Sequence, residues 1–394
     1  MTPVSREKPR RLTEVRGTPR SAAGSLWRSH RERRRSRSPL AFLTEHFWPW
    51  VKNYVAVMFR PRYPFPAYSE PASARPGVFT FQEKATVAMA GDWGTGTRSA
   101  FKVGEQIRSR HPDVTIHLGD VYYSGLEEEF EQYFLGQNDW PRGKSGTYLL
   151  NANHEMYSGG KGYFARALPS VGQKASYFAL ENRYWRIVAV DTGYFSRTFP
   201  ILELLLSCLI RVHPDNLQWL KEVAFPDPTD RRPVILLSHH QAFSAFDTEY
   251  RRVFSDLEPF LDRVLLWFWG HEHRFAAYAP HPSQGNIVVR ARCIGHGGMP
   301  IELGAKPSTN DRGLVCLDTR EATRLDDEPI GYCGFSFLRF SGPNLTVEHV
   351  DENGNLLLEE TWSQGDGKVL GKVTRRAPEL TVLPGKSVNA IVES

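Results

Sequence analysis

The chain has 394 residues, 41% hydrophobic and 24% charged, which excludes collagen-like, coiled-coil and wholly disordered architectures. A chain this long can bury a real core, as one large domain or two modest ones. The net charge of +5 is unevenly placed: residues 1–40 hold twelve Lys/Arg against three Asp/Glu, so that stretch is +9 and the remainder −4.

In chain order, residues 1–39 are rich in Arg, Ser and Pro and poor in large apolar side chains, so they read as a disordered basic tail. Its charge suits an anionic membrane surface or nucleic acid; the plain alternative is a solvated tail. Residues 40–77 form an aromatic-rich extension, with Phe42, Phe47, Trp48, Trp50, Tyr54, Phe59, Tyr63 and Phe65 in its first part. These rings are expected to pack on the main domain, with an interfacial membrane segment as the alternative. No run of ~18 uncharged apolar residues reads as a membrane span. The expected location is cytoplasmic, with peripheral membrane attachment through residues 1–66 as a variant. Cys208, Cys293, Cys316 and Cys333 lie far apart with no CxxC pair, which predicts buried free thiols.

From residue 78 short apolar runs recur, each stopping at polar residues. Thr86–Ala90 precedes Gly91-Asp92, Val114–Leu118 precedes Gly119-Asp120, and Tyr148–Leu150 precedes Asn151. Ile187–Val190 precedes Asp191, Val234–Leu237 precedes Ser238-His239, and Val264–Trp269 precedes Gly270-His271. Such runs suit strands buried on both faces. Helices are predicted between them over Arg98–Ser109, Leu126–Leu135, Leu202–Ile210 and Asn216–Val223, the last capped by Asp215. Alternation of the two predicts an α/β domain. After residue 285 strands follow without helices, ending in Tyr332–Phe340, Leu345–Val350 and Leu356–Thr361, a meander expected to pack as a second sheet on the first. The domain is bounded at 78–362, and residues 363–394 read as a C-terminal tail.

Binding sites in open α/β sheets form beyond the carboxyl ends of strands, so the residues delivered there should converge. Gly270-His271-Glu272-His273 places two imidazoles two apart on a tight turn, able to face one cleft. Gly119-Asp120-Val121-Tyr122-Tyr123 brings a carboxylate to a strand end with a phenol close behind. Asn153-His154-Glu155 taken alone could be a helix cap. Together, the blocks Asp92-Trp93-Gly94, Gly119 to Tyr123, Ala152-Asn153-His154-Glu155, Ser238-His239-His240 and Gly270 to His273 stand in a fixed order. In this the chain resembles the calcineurin-like metallophosphoesterases, and within them the purple acid phosphatase type, over about residues 85–300. Ala152 departs from the family's Gly, which touches a backbone position and removes no ligand.

The resemblance implies a four-layer αββα sandwich, two mixed sheets face to face flanked by helices, with two metal ions. By position, Asp92, Asp120, Tyr123 and His273 hold the first ion. Asp120, Asn153, His239 and His271 hold the second, with Asp120 bridging. A carboxylate and phenolate set favours Fe(III), and a neutral Asn/His set favours Fe(II), Zn or Mn. If Tyr123 only packs, with Tyr122 its rival by alternation, a Mn/Zn or di-Fe(II) pair is expected instead. The implied activity is hydrolysis of phosphate esters, foremost monoesters, by attack of a metal-bridging hydroxide, with His154 as the catalytic side chain. Substrates would be phosphorylated small molecules or proteins. The alternatives are a phosphodiesterase acting on cyclic nucleotides or nucleic acid, or a non-catalytic binding module on the same fold. His240, the rival of His239, and Arg98 are the candidates for substrate binding. Arg274 is weighed as a substrate contact, His296 as a turn residue and Asp191 as a loop or capping residue.

Overall fold

The protein is described by a computed structural model covering residues 62–393 apart from 137–139, 197–208, 247–248, 283–287, 302, 305, 308–311 and 326–327. The tail at 1–39, residues 40–61 of the extension and nearly all of the helix expected over 202–210 lie outside the described residues.

The apolar runs form strands because β-branched and aromatic residues suit a pleated surface covered on both sides; Val264–Trp269 is buried at every position. The first nine strands are β1 (Val78–Thr80), β2 (Lys84–Ala90), β3 (Val114–His117), β4 (Gly146–Leu149), β5 (Phe178–Glu181), β6 (Arg186–Ala189), β7 (Val234–Ser238), β8 (Val264–Trp269) and β9 (Phe275–Tyr278). Then come β10 (His281–Pro282), β11 (Val288–Val289), β12 (Ala291–Ile294), β13 (Leu314–Leu317), β14 (Glu321–Leu325) and β15 (Glu328–Gly331). The last five are β16 (Gly334–Ser341), β17 (Asn344–Asp351), β18 (Leu356–Gly365), β19 (Lys368–Arg376) and β20 (Thr381–Val382). Among the described residues a nine-stranded sheet runs β1-β5-β6-β7-β8-β12-β9-β13-β20 and a seven-stranded sheet runs β19-β18-β17-β16-β2-β3-β4.

Both sheets are mixed and pack face to face. Val87, Ile116, Leu338 and Val347 from one meet Leu180, Ile187, Leu237 and Phe268 from the other in a single core. Helix α1 (Arg98–Ser109), capped by the Thr97 hydroxyl accepting from the Ala100 N–H, and α2 (Glu127–Tyr133) cover the outer face of the seven-stranded sheet. Helices α3 (Pro214–Trp219) and α4 (Arg251–Leu257) cover the nine-stranded one. This is the four-layer αββα sandwich the sequence implied.

Three expectations need correction. The meander β16 to β19 does not form a sheet of its own: Ser336 to Ser341 pair antiparallel with Met89 to Lys84, so it extends the sheet built on β2. Residues 363–393 are not a tail. They complete β18, add β19, and return through β20 to pair with β13, with Leu380 and Ile391 buried. Helix α3 starts two residues before Asn216, with Pro214 at its first position and the His213 ring, not Asp215, as its cap. The described end of the extension packs as expected: Tyr63 stacks on Phe164 and Phe65 on Tyr177, with ring centroids 5.6 and 5.7 Å apart. The described cysteines, Cys293, Cys316 and Cys333, are buried free thiols.

One polar cluster crosses the interlayer. Arg292 on β12 forms a bidentate pair with Glu360 on β18, both contacts at 2.7 Å and both side chains fully buried. Glu360 also meets His349, itself bonded to Ser336 at 2.8 Å. Arg292 further donates to the carbonyl of Ile391 at 3.0 Å, pinning the C-terminal segment.

Candidate metal centre

The two sheets meet at a set of glycines. β2, β3 and β8 run into Gly91-Asp92, Gly119-Asp120 and Gly270-His271, and a Cβ on Gly91 would lie 2.9 Å from the Gly270 Cα. Bare backbone is needed there for strand ends from different sheets to approach. The next residues, Asp92, Asp120 and His271, all have left-handed φ values of 59°, 72° and 66°. Non-glycine residues adopt this conformation at a cost of order 1–3 kcal/mol, and such strain gathers at functional sites. Here it turns three strand ends, two from one sheet and one from the other, so that their side chains share one cleft.

Each carboxylate is held by one oxygen and presents the other. Asp92 Oδ2 accepts the His271 N–H at 2.8 Å, and Asp120 Oδ1 accepts the His154 N–H at 3.2 Å. The remaining oxygens face a tyrosine hydroxyl. Tyr122 Oη lies 2.8 Å from Asp92 Oδ1, 3.1 Å from Asp120 Oδ2 and 2.9 Å from His273 Nε2. Asp92, Asp120, Tyr122 and His273 therefore form one four-atom pocket.

A second pocket adjoins it through the same Asp120 oxygen, which is 3.5 Å from His239 Nε2. Asn153 Oδ1 lies 3.0 Å from His239 Nε2 and 3.2 Å from His271 Nδ1. The tautomer of His239 is fixed: its Nδ1 is 2.9 Å from the Leu118 carbonyl, which can only accept, so Nδ1 carries the proton and Nε2 a lone pair. That lone pair points at an amide oxygen and a carboxylate. Burial, the largest influence, pushes the His239 pKa well below its ordinary value, so His239 itself does not take up a proton to relieve the conflict. Three electron-rich atoms aimed at one point repel unless a cation lies between them. The donor set fits metal ions, with His239, His240 and His271 clustered on one side and Asp92, Asp120 and His239 on the other.

The carboxylates carry the same signature. Burial and then the neighbouring Asp92 charge push the Asp120 pKa well up. For Asp92 burial acts upward too, but the His273 hydrogen bond and the histidines around it outweigh that and lower its pKa. The Tyr122 phenol is pushed well up by burial and by both carboxylates. Two acids this close and this deeply buried share negative charge poorly without a counter-ion.

The predicted residues Asp92, Asp120, Asn153, His239, His271 and His273 are thus brought together. The Tyr123 backbone N–H donates to Glu129 at 2.7 Å. The phenol that meets both carboxylates is that of Tyr122, the alternative by alternation. Gly94 fits tightly there, since a Cβ would lie 2.8 Å from the Val121 Cα. Ala152 sits at φ −141° and needs no glycine. His154 lines the cleft with Nδ1 donating to the Tyr123 carbonyl at 2.7 Å and Nε2 3.8 Å from Asp120 Oδ2. Burial pushes its pKa down to about 3, so the ring is neutral with its lone pair on Nε2. His240 is anchored to the Thr192 hydroxyl at 3.1 Å, and its ring lies tilted against His271, centroids 4.7 Å apart, beside the second pocket. Arg98 is exposed at the first turn of α1, and none of its contacts among the described residues reaches the cluster. Arg274 lies over the Phe246 ring at 4.0 Å. His296 is fully buried in the turn after β12. Asp191 accepts from Asn151 and from the N–H groups of Gly193 and Tyr194, as a loop anchor does.

Two supporting acids were not singled out in the sequence. Glu155 is buried and accepts the N–H groups of Asp120 and Val121 at 3.2 and 2.8 Å, holding the left-handed turn from below. Glu129 does the same for Tyr123, Ser124 and Leu126. Glu155 stood inside a motif; Glu129 carried no local signal beyond an acidic first turn.

No curated protein sequence matches the chain. Similar solved structures include a purple acid phosphatase from yellow lupin (Lupinus luteus) seeds, at 16% identity and TM-score 0.48, covering 74% of this chain and 55% of that one. The match thus spans about half the length of the lupin protein. PhoD matches at 12% identity and TM-score 0.47 over 80% of this chain and 76% of that one. GAP50, the anchor in the inner membrane complex of Plasmodium, matches at 13% identity and TM-score 0.44 over 70% and 87%. Residues 85–275 match the calcineurin-like phosphoesterase family, and every residue of the two pockets falls inside them. The similarity to the calcineurin-like phosphoesterases thus spans 191 of the 394 residues and takes in the whole cluster.

Proposed function

We propose that the chain is a dinuclear phosphoesterase acting foremost on phosphate monoesters. The observation that carries this reading is the convergence of oxygen and nitrogen ligand atoms on two adjoining points joined by Asp120 Oδ2, 3.1 Å from the Tyr122 hydroxyl and 3.5 Å from His239 Nε2. Asp92, Asp120, Tyr122 and His273 would hold one ion, and Asp120, Asn153, His239 and His271 the other. A bound cation pair supplies Lewis-acid activation of the phosphoryl group and of water.

The chain's own residues set the rest. A carboxylate and phenol set suits a hard trivalent ion such as Fe(III), and the Asn/His set a divalent ion such as Fe(II), Zn or Mn. Three anionic ligands against such a pair leave the centre positive, which favours a dianionic monoester over a monoanionic diester. His154 faces the cleft with Nε2 available to hold a proton of the attacking water or the leaving oxygen. His240 stands beside the second pocket, placed to meet substrate.

Elemental analysis with turnover of aryl phosphate mono- and diesters tests the reading: two ions per chain and faster monoester hydrolysis are expected, and a metal-free, inactive protein overturns it. Tyr122→Phe is expected to abolish any visible charge-transfer band and weaken one ion, while Tyr123→Phe keeps both; the reverse pattern would reinstate Tyr123. His154→Ala is expected to leave metal content unchanged and lower turnover by ~10²-fold. Unchanged turnover in that variant removes His154 from the chemistry.

A further inference from the structure

We infer that Tyr250 is a positioning residue for the second ion, its hydroxyl taking the Nε2–H of His271 and thereby aiming Nδ1 into the pocket. The inference rests on the dinuclear reading above. His271 uses both ring nitrogens: Nδ1 is 3.2 Å from Asn153 Oδ1 inside the pocket, and Nε2 is 3.0 Å from the Tyr250 hydroxyl outside it. If Nδ1 offers its lone pair to a cation, the proton must sit on Nε2, and in this half-buried setting that N–H is best matched by an acceptor. Tyr250 provides it.

The contrast with His239 shows what is special here. The remote nitrogen of His239 is fixed by the Leu118 main-chain carbonyl, which cannot turn away or donate. His271 relies instead on a side chain from another element, the residue that opens α4. That side chain is itself held in place. Tyr250 is 3% exposed and packs edge-on against His240 and His271, with ring centroids 4.8 and 5.6 Å away. Its neighbour Glu249 pairs with Arg312 at 2.5 Å, tying the start of α4 to a distant loop. A partner of this kind orients a metal-binding imidazole and raises its basicity, and losing one typically weakens metal binding 10- to 100-fold.

The test is Tyr250→Phe in the full chain, which keeps the ring and removes only the hydroxyl. Metal-free wild type and variant are titrated with Zn²⁺ by calorimetry, and the melting temperature of each metal-free protein is measured. The expected result is two ions in the wild type and, in the variant, one ion at wild-type affinity with the other weakened 10- to 100-fold at an unchanged metal-free melting temperature. Equal affinities in both proteins overturn the inference and leave the dinuclear reading standing. Loss at both pockets together with a lowered metal-free melting temperature means a merely structural tyrosine and also overturns it. A wild type that binds no Zn²⁺ removes the dinuclear reading itself, a distinguishable failure.

Discussion

Asp120→Asn is expected to lower phosphate ester turnover by ~10³-fold or more and to remove both ions from the purified protein. One oxygen of this carboxylate faces both pockets, 3.1 Å from the Tyr122 hydroxyl and 3.5 Å from His239 Nε2, so a single change disables two sites. The amide keeps the shape, and its oxygen can still accept the His154 N–H that Asp120 Oδ1 accepts now at 3.2 Å. Its NH₂ group would then stand where an anionic oxygen stood, repelling a cation and bonding His239 instead. Because the substitution removes one of two adjacent buried charges, the metal-free variant should be at least as stable as the metal-free wild type. Elemental analysis, turnover and a melting curve on the same sample check all three points. A variant that retains both ions and most of its activity would show that Asp120 is not shared.

The second large effect falls on stability. Glu360→Ala is expected to destabilise the fold by about 3–5 kcal/mol, the usual consequence of leaving one partner of a buried pair uncompensated. Arg292 would keep its charge in the interlayer with no carboxylate to meet it. Burial opposes the Glu360 charge, but Arg292 and the His349 bond outweigh it and hold its pKa down to about 2. A carboxyl lowered in the folded state contributes stability that is present above its unfolded pKa and lost as pH falls through about 2. The measurement is urea unfolding of both proteins at neutral pH. A midpoint within error of the wild type would mean that the pair stabilises nothing.

Much of the centre was legible in the sequence because its chemistry sits at strand ends, where a run of apolar residues stops at Gly-Asp or Gly-His. The α/β class and the order of Asp92, Asp120, Asn153, His239 and His271 followed from that punctuation. Less legible was anything decided by pairing partners far along the chain. Nothing local told that β16 would pair with β2, nor that residues 380–392 would return to seal the core, since their apolar residues are few and widely spaced. The choice between Tyr122 and Tyr123 turned on the loop path set by Glu129 and Glu155, whose hydrogen bonds to backbone N–H groups leave no trace in residue spacing. Tyr250 lay equally hidden, 21 residues from the imidazole it touches.

The glycine seam has a mechanical corollary. Asp92 and Asp120 ride on one sheet, while His239, His271 and His273 ride on the other. A pair of cations clamped between them would act as a rivet through the sandwich, and any sliding of one layer over the other would open or tighten its grip. The bite offered to an incoming ion is therefore set by how Ile116 and Leu338 mesh with Leu237 and Phe268 in the layer between.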